Sequence, residues 1–548
     1  MHATNTFADT VFHNGPVLTM DSARSRTTAV AVRDGRIVAL GSDASDLIGP
    51  ETEVVDLHGR LLIPGFQDAH VHPVAAGLEL AQCNLTECRD AESTLTAIAE
   101  YALAHPGAEW ISGGGWSLEA FPGGLPTAEM ADHVVPARPM YLPNRDHHGA
   151  WVNSRALELA GIDRDTPDPE GGRIERDAQG TPTGMLQESA MDLVADLMPT
   201  PSTEQMIDAL LLAQEHLHSQ GITAWQDAMV GPGASLPDSC DAYATIAGDG
   251  RLTARVRAAQ WWDRTRGAEQ IDEMISRRDR LTIGRLSAGS VKLMVDGIAE
   301  SQTAALLEPY LSPCGCQGHN RGTTFIEPTD LAKYVTELDA AGFQTHFHAL
   351  GDRAVRDALD AIEMARRTNG FRDTRPHLAH IQIIDPADIA RFRDLGATAN
   401  MQPLWAAHEP QMDELTIPVL GDERAAHQYP FGDLLRSGAT LAAGSDWPVS
   451  SANPLDGIHV AVNRRGPDSA ADDPVFLPQQ RLDLTTAIAA YTAGSAYVNH
   501  LDETGAIRIG YYADLVVLDR DPFTFDPGAI ADTRVSATYV NGKCVYRA

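Results

Sequence analysis

Two histidines one residue apart, in Asp68-Ala69-His70-Val71-His72, are the first side chains in this sequence that could hold an ion. Alternate residues of a strand face the same side, so both imidazoles can aim at one point. Alone, such a pair is a weak signal, more often two surface histidines. Lys292, in SVKLMVDG, is the second feature. A lysine in so apolar a strand is costly as a cation. Two arrangements relieve that cost. One is a buried ion pair with Asp296; the other is a neutral amine that reacts with carbon dioxide, giving an N6-carboxylated lysine whose two oxygens bridge two metals. Lysine is scarce here, for Lys292, Lys333 and Lys543 are the only three among 42 Lys+Arg. Arginine cannot do this chemistry, so its place is not interchangeable with lysine's. His348 in HALGD, His380 in HLAHIQ and Asp446 in GSDWP follow. Singly, the histidines read as core or capping residues and Asp446 as a helix N-cap. Together, this mix of imidazole and carboxylate suits zinc or a similar divalent ion, one or two of them. Such an ion makes hydroxide available at neutral pH, and Asp446 is then the candidate acid–base catalyst.

Each of these residues closes a short apolar run. Candidate strands end near His72, Asp227, Gln260, Asp296, His348, His380, Gln402 and Asp446, and helical spacing fills segments such as 328–341 and 352–367. Eight strand–helix units predict an α/β fold, a (β/α)8 TIM barrel, whose reactive groups sit at strand C-termini. Both ends of the chain are strand-rich instead. Val30–Leu40 turns at Asp34-Gly35 and Ala537–Val545 turns at Asn541-Gly542, both hairpin signals. Residues 1–66 and 500–548 are therefore expected to form one composite β-sandwich, with 67–80 and 215–499 as the barrel. Between the first and second barrel strands lie about 145 residues, against roughly 2–6 in an ordinary βα loop. Residues 81–214 are thus expected to form an inserted α+β subdomain near the barrel mouth.

Composition narrows the partners. A formal charge of −33 over 548 residues repels nucleic acid and anionic membrane, so neither is expected. The start, MHATNTFADT, has no secretory pattern, and no run approaches the ~20 apolar residues of a spanning helix. Cytoplasm is the default location. Six cysteines in so long a chain are no disulfide framework, and Cys314-Gly-Cys316 reads as a plain loop. A homo-oligomer is compatible with everything above.

IPGFQDAHVH, and TGAIRIGYYADLVVLDRDPF near the C-terminus, resemble motifs of the amidohydrolase superfamily. GGGW (113–116), RDHHGAWVNSRAL (145–157), GTPTGMLQESAM (180–191), VKLMVDG, HALGDRAV and GSDWPV resemble its amidohydrolase-3 branch, which includes YtcJ-like proteins and N-substituted formamide deformylase. The resemblance runs over essentially the whole chain. It implies a metal site of His70, His72, Lys292, His348, His380 and Asp446. It implies a small-molecule, amide-type substrate whose C–N bond is cut by metal-activated hydroxide. Hydrolysis of a cyclic amide, lactone or carbamate, or mononuclear deamination, stays open beside it. Many relatives carry Glu before the strand-6 histidine where this chain has Ala379. Trp116, Asp146, His148 and Glu188 in the insert, with Asp296, His346, Gln402 and Trp405, are candidates for contact with substrate or for support of the ligands. His147 and His377 read as structural.

Overall fold

The structure is a computed structural model describing residues 7–86, 88–232, 238–312 and 318–548; the Cys314-Gly-Cys316 loop and the first six residues lie outside these. Eight parallel strands form one sheet: β1 (Phe66–Val71), β2 (Ile222–Val230), β3 (Arg255–Trp261), β4 (Leu286–Met294), β5 (Gln344–Ala349), β6 (His377–His380), β7 (Thr398–Met401) and β8 (Thr440–Ala443). They neighbour one another in chain order from β1 to β8. Their near-continuous apolar sequences follow from burial on both faces, since helices cover the outside of a parallel sheet. All six residues of β1 are buried. The two end strands meet just past their termini. The Asp446 amide donates to the His70 carbonyl (2.8 Å) and the His72 amide to the Trp447 carbonyl (2.9 Å), closing a TIM barrel. Gly444 permits the approach, because a Cβ there would lie 2.6 Å from the His70 nitrogen.

Helices Pro328–Ala340 and Asp352–Asn369 stand where helical spacing predicts them, burying Leu331, Val335 and Leu338 from one and Val355, Leu359 and Ile362 from the other. One boundary differs from the sequence reading. The expected break between insert and barrel at 214/215 falls inside helix Thr203–Ser219. That helix starts at a capping box in which the Ser202 hydroxyl accepts from the Gln205 amide and the Gln205 side chain accepts from the Ser202 amide. It lies against helix Pro73–Ala81, where a Cβ on Gly77 would come within 2.0 Å of the Ala209 carbonyl. The Ser-x-x-Gln signal was present in the sequence and marks the true start.

The termini meet in two sheets. Four strands run in the order 36–40, 30–33, 10–13, 53–56, and six in the order 543–547, 535–540, 515–518, 62–64, 17–18, 26–27. Phe12, Val30 and Ile37 from the first share a core with Leu62, Leu515, Val517 and Tyr539 from the second. Both hairpin turns take positive φ at two residues, 52° and 74° at Asp34-Gly35 and 50° and 70° at Asn541-Gly542, as a type I′ turn requires. Arg255, at the base of β3, reaches out to Asp514 with Nε 2.7 Å from Oδ2. Between β1 and β2 the insert builds its own six-stranded sheet, from Cys83–Asn84 to Gly172–Arg176. Among the described residues no helix is long and apolar enough to cross a membrane.

Candidate metal centre

Barrel geometry brings the six residues of the expected ligand set to one place. Asp446 Oδ1 stands 3.1 Å from His70 Nε2 and 3.0 Å from His72 Nε2. Its Oδ2 is 3.7 Å from His380 Nδ1. The ligand atoms of His70, His72 and Asp446 all lie within 4.8 Å of one another. Lys292 Nζ, rising from β4, is 3.4 Å from His70 Nε2. The His380 ring centroid is 4.7 Å from that of His70 and 4.5 Å from that of His348. His380 (φ 74°) and Asp446 (φ 58°) adopt the left-handed backbone region as their strands end. Non-glycine residues hold such conformations only where the surroundings impose them.

The electrostatics favour a cation. Burial, helped by Lys292, lowers the His70 imidazole to about 3. Burial also lowers His72, and it holds His348 and His380 well below the usual value. All four are therefore neutral at pH 7 and carry a lone pair apiece. Burial would raise Asp446, but His70 first, then His72 and His380, hold it well below the usual carboxylate range. Burial brings Lys292 down to about 7. His72 Nδ1, His348 Nδ1 and both nitrogens of His380 have no hydrogen-bond partner. So many buried polar atoms without partners require an explanation. Neutral imidazoles and a carboxylate aimed at a common centre are the donor set of a divalent-metal site, and the residues fit one.

The remaining candidates separate into those at the site and those away from it. Asp296 does not pair with Lys292. Burial raises its carboxyl to about 7 against the pull of three backbone amides, those of Ala305, Leu350 and Gly351, and its Oδ1 stands 3.4 Å from His348 Nδ1. Gln402 Oε1 accepts from the His380 amide (2.7 Å), and the Trp405 ring stacks on the His380 ring at 5.4 Å. His346 Nε2 sits 2.7 Å from His70 Nδ1. From the insert, His148 comes within 5.6 Å of the His348 ring and pairs with Glu188 at 3.0 Å. Burial works against its proton, but Glu188 and Asp146 prevail and raise it to about 9. Asp146 Oδ1 accepts from the His148 amide. Trp116 is placed elsewhere. It is fully buried with Phe121 and Trp151 in the insert's own core, its indole N–H donating to the Leu142 carbonyl. His147 stands 3.1 Å from Glu79. The sequence reading passed over Gln226, Gln344 and Asn400, three buried amides inside the barrel. Asn400, between Ala399 and Met401, carried a signal; Gln226 beside Asp227 and Gln344 beside Thr345 and His346 sit among other polar residues and stood out less.

An eight-stranded parallel barrel with histidine and carboxylate ligands at its C-terminal mouth defines a metal-dependent hydrolase scaffold. The chain belongs to the amidohydrolase family, whose profile matches residues 53–546. Over 98% of its length it is 33% identical to Protein LONG AFTER FAR-RED 3 of Arabidopsis thaliana, spanning 92% of that protein. It is 32% identical to YtcJ of Bacillus subtilis (strain 168), with 98% and 99% of the two chains covered. N-substituted formamide deformylase of Arthrobacter pascens is 27% identical, with 98% of each chain covered. An uncharacterized metal-dependent hydrolase from Pyrococcus horikoshii OT3 shares the fold, with a TM-score of 0.73 and 24% identity over 95% of this chain and 99% of that one.

Proposed function

We propose that the protein is a hydrolase of acyclic amide-type C–N bonds, N-formyl or N-acyl, acting on a small molecule with zinc. The observation that carries this reading is the convergence of His70, His72 and Asp446 with Lys292 at 3.4 Å. The full-length likeness to N-substituted formamide deformylase supports the bond type. His70, His72, His348, His380 and Asp446 hold the metal, and a bound divalent ion supplies an acidified water and an electrophile for the carbonyl oxygen.

The protein's own groups do the rest. Asp446 takes a proton from the attacking water and returns it to the leaving nitrogen, the proton transfer that such a bond cleavage needs. Lys292, brought to about 7 by burial, has a neutral amine fraction at physiological pH. Its nitrogen can then add to carbon dioxide with loss of one proton, and the resulting carbamate offers two oxygens as ligands. His148, protonated beside Glu188, stands at the mouth as a hydrogen-bond donor to substrate. The test is a panel of N-formyl, N-acyl and carbamate compounds assayed with zinc-loaded protein, alongside metal analysis. Turnover of an N-formyl or N-acyl amide, abolished by chelation and restored by zinc, is expected. Turnover of aminopurines alone would replace this reading with deamination.

A further inference from the structure

Beneath the metal centre the barrel is filled by amides and imidazoles bonded to one another and to backbone, with Ser290, Asn499 and Gln402 donating or accepting at their edges. Gln226, Gln344, His346, His377 and Asn400 are all within 1% of complete burial. Every distance in the chain is that of a hydrogen bond, so each must have a donor at one end and an acceptor at the other.

The direction of the chain is fixed at its far end by groups that can only accept. Gln344 Nε2 faces two backbone carbonyls, those of Arg375 (2.8 Å) and Val498 (2.7 Å), so it donates to both. Gln344 Oε1 must then accept, and Gln226 Nε2 donates to it at 3.1 Å. That turns Gln226 Oε1 toward two imidazoles, His346 Nδ1 at 2.8 Å and His377 Nε2 at 3.0 Å, and both must present N–H. His377 agrees from its other side. Its Nδ1 accepts from Asn400 Nδ2 (3.2 Å), which also donates to the Ala69 carbonyl (2.9 Å). A neutral imidazole carries one N–H, so with that hydrogen on Nδ1 the His346 ring offers a lone pair at Nε2. That lone pair faces His70 Nδ1 at 2.7 Å.

We infer that this chain is a one-way relay that locks His70 as its Nδ1–H tautomer and leaves the Nε2 lone pair free for a metal ion shared with Asp446, making Gln226 a positioning residue for a metal ligand two hydrogen bonds away. The inference rests on the reading of His70 as a ligand. A metal-binding imidazole is commonly oriented by the partner of its other nitrogen. Here that partner is a second histidine, whose own tautomer is dictated by a glutamine on β2. Reversing His70 would place two lone pairs against each other at 2.7 Å and leave no lone pair for the metal.

The test compares Gln226→Met, which fills the space without an acceptor, with Gln226→Glu, which keeps an oxygen toward both imidazoles. Zinc affinity of the full-length protein is measured by competition with a chromophoric chelator. Nitrogen-15 spectra of the histidine rings are recorded on metal-free protein. Gln226→Met should weaken zinc binding about 10–100-fold, the usual cost of removing a group that orients a ligand. Gln226→Glu should bind zinc like the parent, although both variants lose the amide donor to Gln344. The parent spectrum should show His70 protonated at Nδ1. A Gln226→Met protein that binds zinc as tightly as the parent, or a parent spectrum with His70 protonated at Nε2, overturns the relay. If the parent binds no zinc, the metal reading fails, and the ring spectrum still decides the tautomer by itself.

Discussion

Asp446 sits between two imidazoles with its carboxylate held ionised, which is the state a proton acceptor needs. Asp446→Asn keeps the shape and removes the basic oxygen. It should cost on the order of 10²–10⁴ in kcat/KM, read with whichever amide the substrate panel identifies. Lys292 carries a sharper expectation. Lys292→Arg keeps the positive charge but leaves no oxygen for metal, so the variant should lose at least one metal equivalent and nearly all activity. Lys292→Ala supplied with short carboxylic acids should recover part of it. Metal analysis of an arginine variant that retains two ions and normal turnover would refute the carbamate. The six residues of the expected set, which the fold brings together, stood out in the sequence because each is chemically distinctive within or at the end of an apolar run. The relay did not. Glutamine and asparagine also serve as ordinary barrel filling, and only the distances between Gln344, Gln226, His346 and His70 give the chain a direction.

At the scale of elements, helix Thr203–Ser219 packs Leu210, Ala213 and Leu217 into the barrel's core and adds a polar tie at its C-terminal end. His218 is 2.9 Å from the Ile222 carbonyl and 2.8 Å from the Thr253 hydroxyl, and its own carbonyl accepts from the Thr538 hydroxyl (2.7 Å). Burial lowers its pKa from 6.5. The unfolded chain therefore takes up this proton before the folded one does, and the sign follows: the stability His218 supplies is complete above about pH 6.5 and drains as pH falls below it. His218→Gln should cost about 1–3 kcal/mol near neutral pH through its unmet partners. Thermal melts should show the gap between parent and variant narrowing from pH ~7.5 to pH ~5. A gap that widens on acidification would contradict the assigned direction. The eight strands and both hairpin turns were readable from sequence, since apolar runs and Asp-Gly or Asn-Gly turns are local signals. The boundary within this helix was misplaced because a helix serving two subdomains shows no change of pattern where one ends.

For the whole molecule, the C-terminal strands are tied to the barrel through a buried charge pair. Arg255 and Asp514 have side chains 9% and 1% exposed, and the Arg255 guanidinium also bonds Asn541. Arg255→Leu strands the Asp514 carboxylate and should destabilise the protein by about 3–5 kcal/mol. Combining it with Asp514→Asn should return part of that loss, as a double-mutant thermal cycle would show. Equal losses in the single and double variants would mean the pair is no tie. Lysine usage has a practical consequence at the same scale. Lys333 and Lys543 lie exposed on opposite parts of the sequence, whereas Lys292 is 2% exposed among the histidines. Amine-reactive dyes, crosslinkers or a coupling resin therefore meet two outward lysine side chains, and not the buried Lys292 amine. The protein can thus be tethered or labelled through lysine at a distance from the buried histidine cluster.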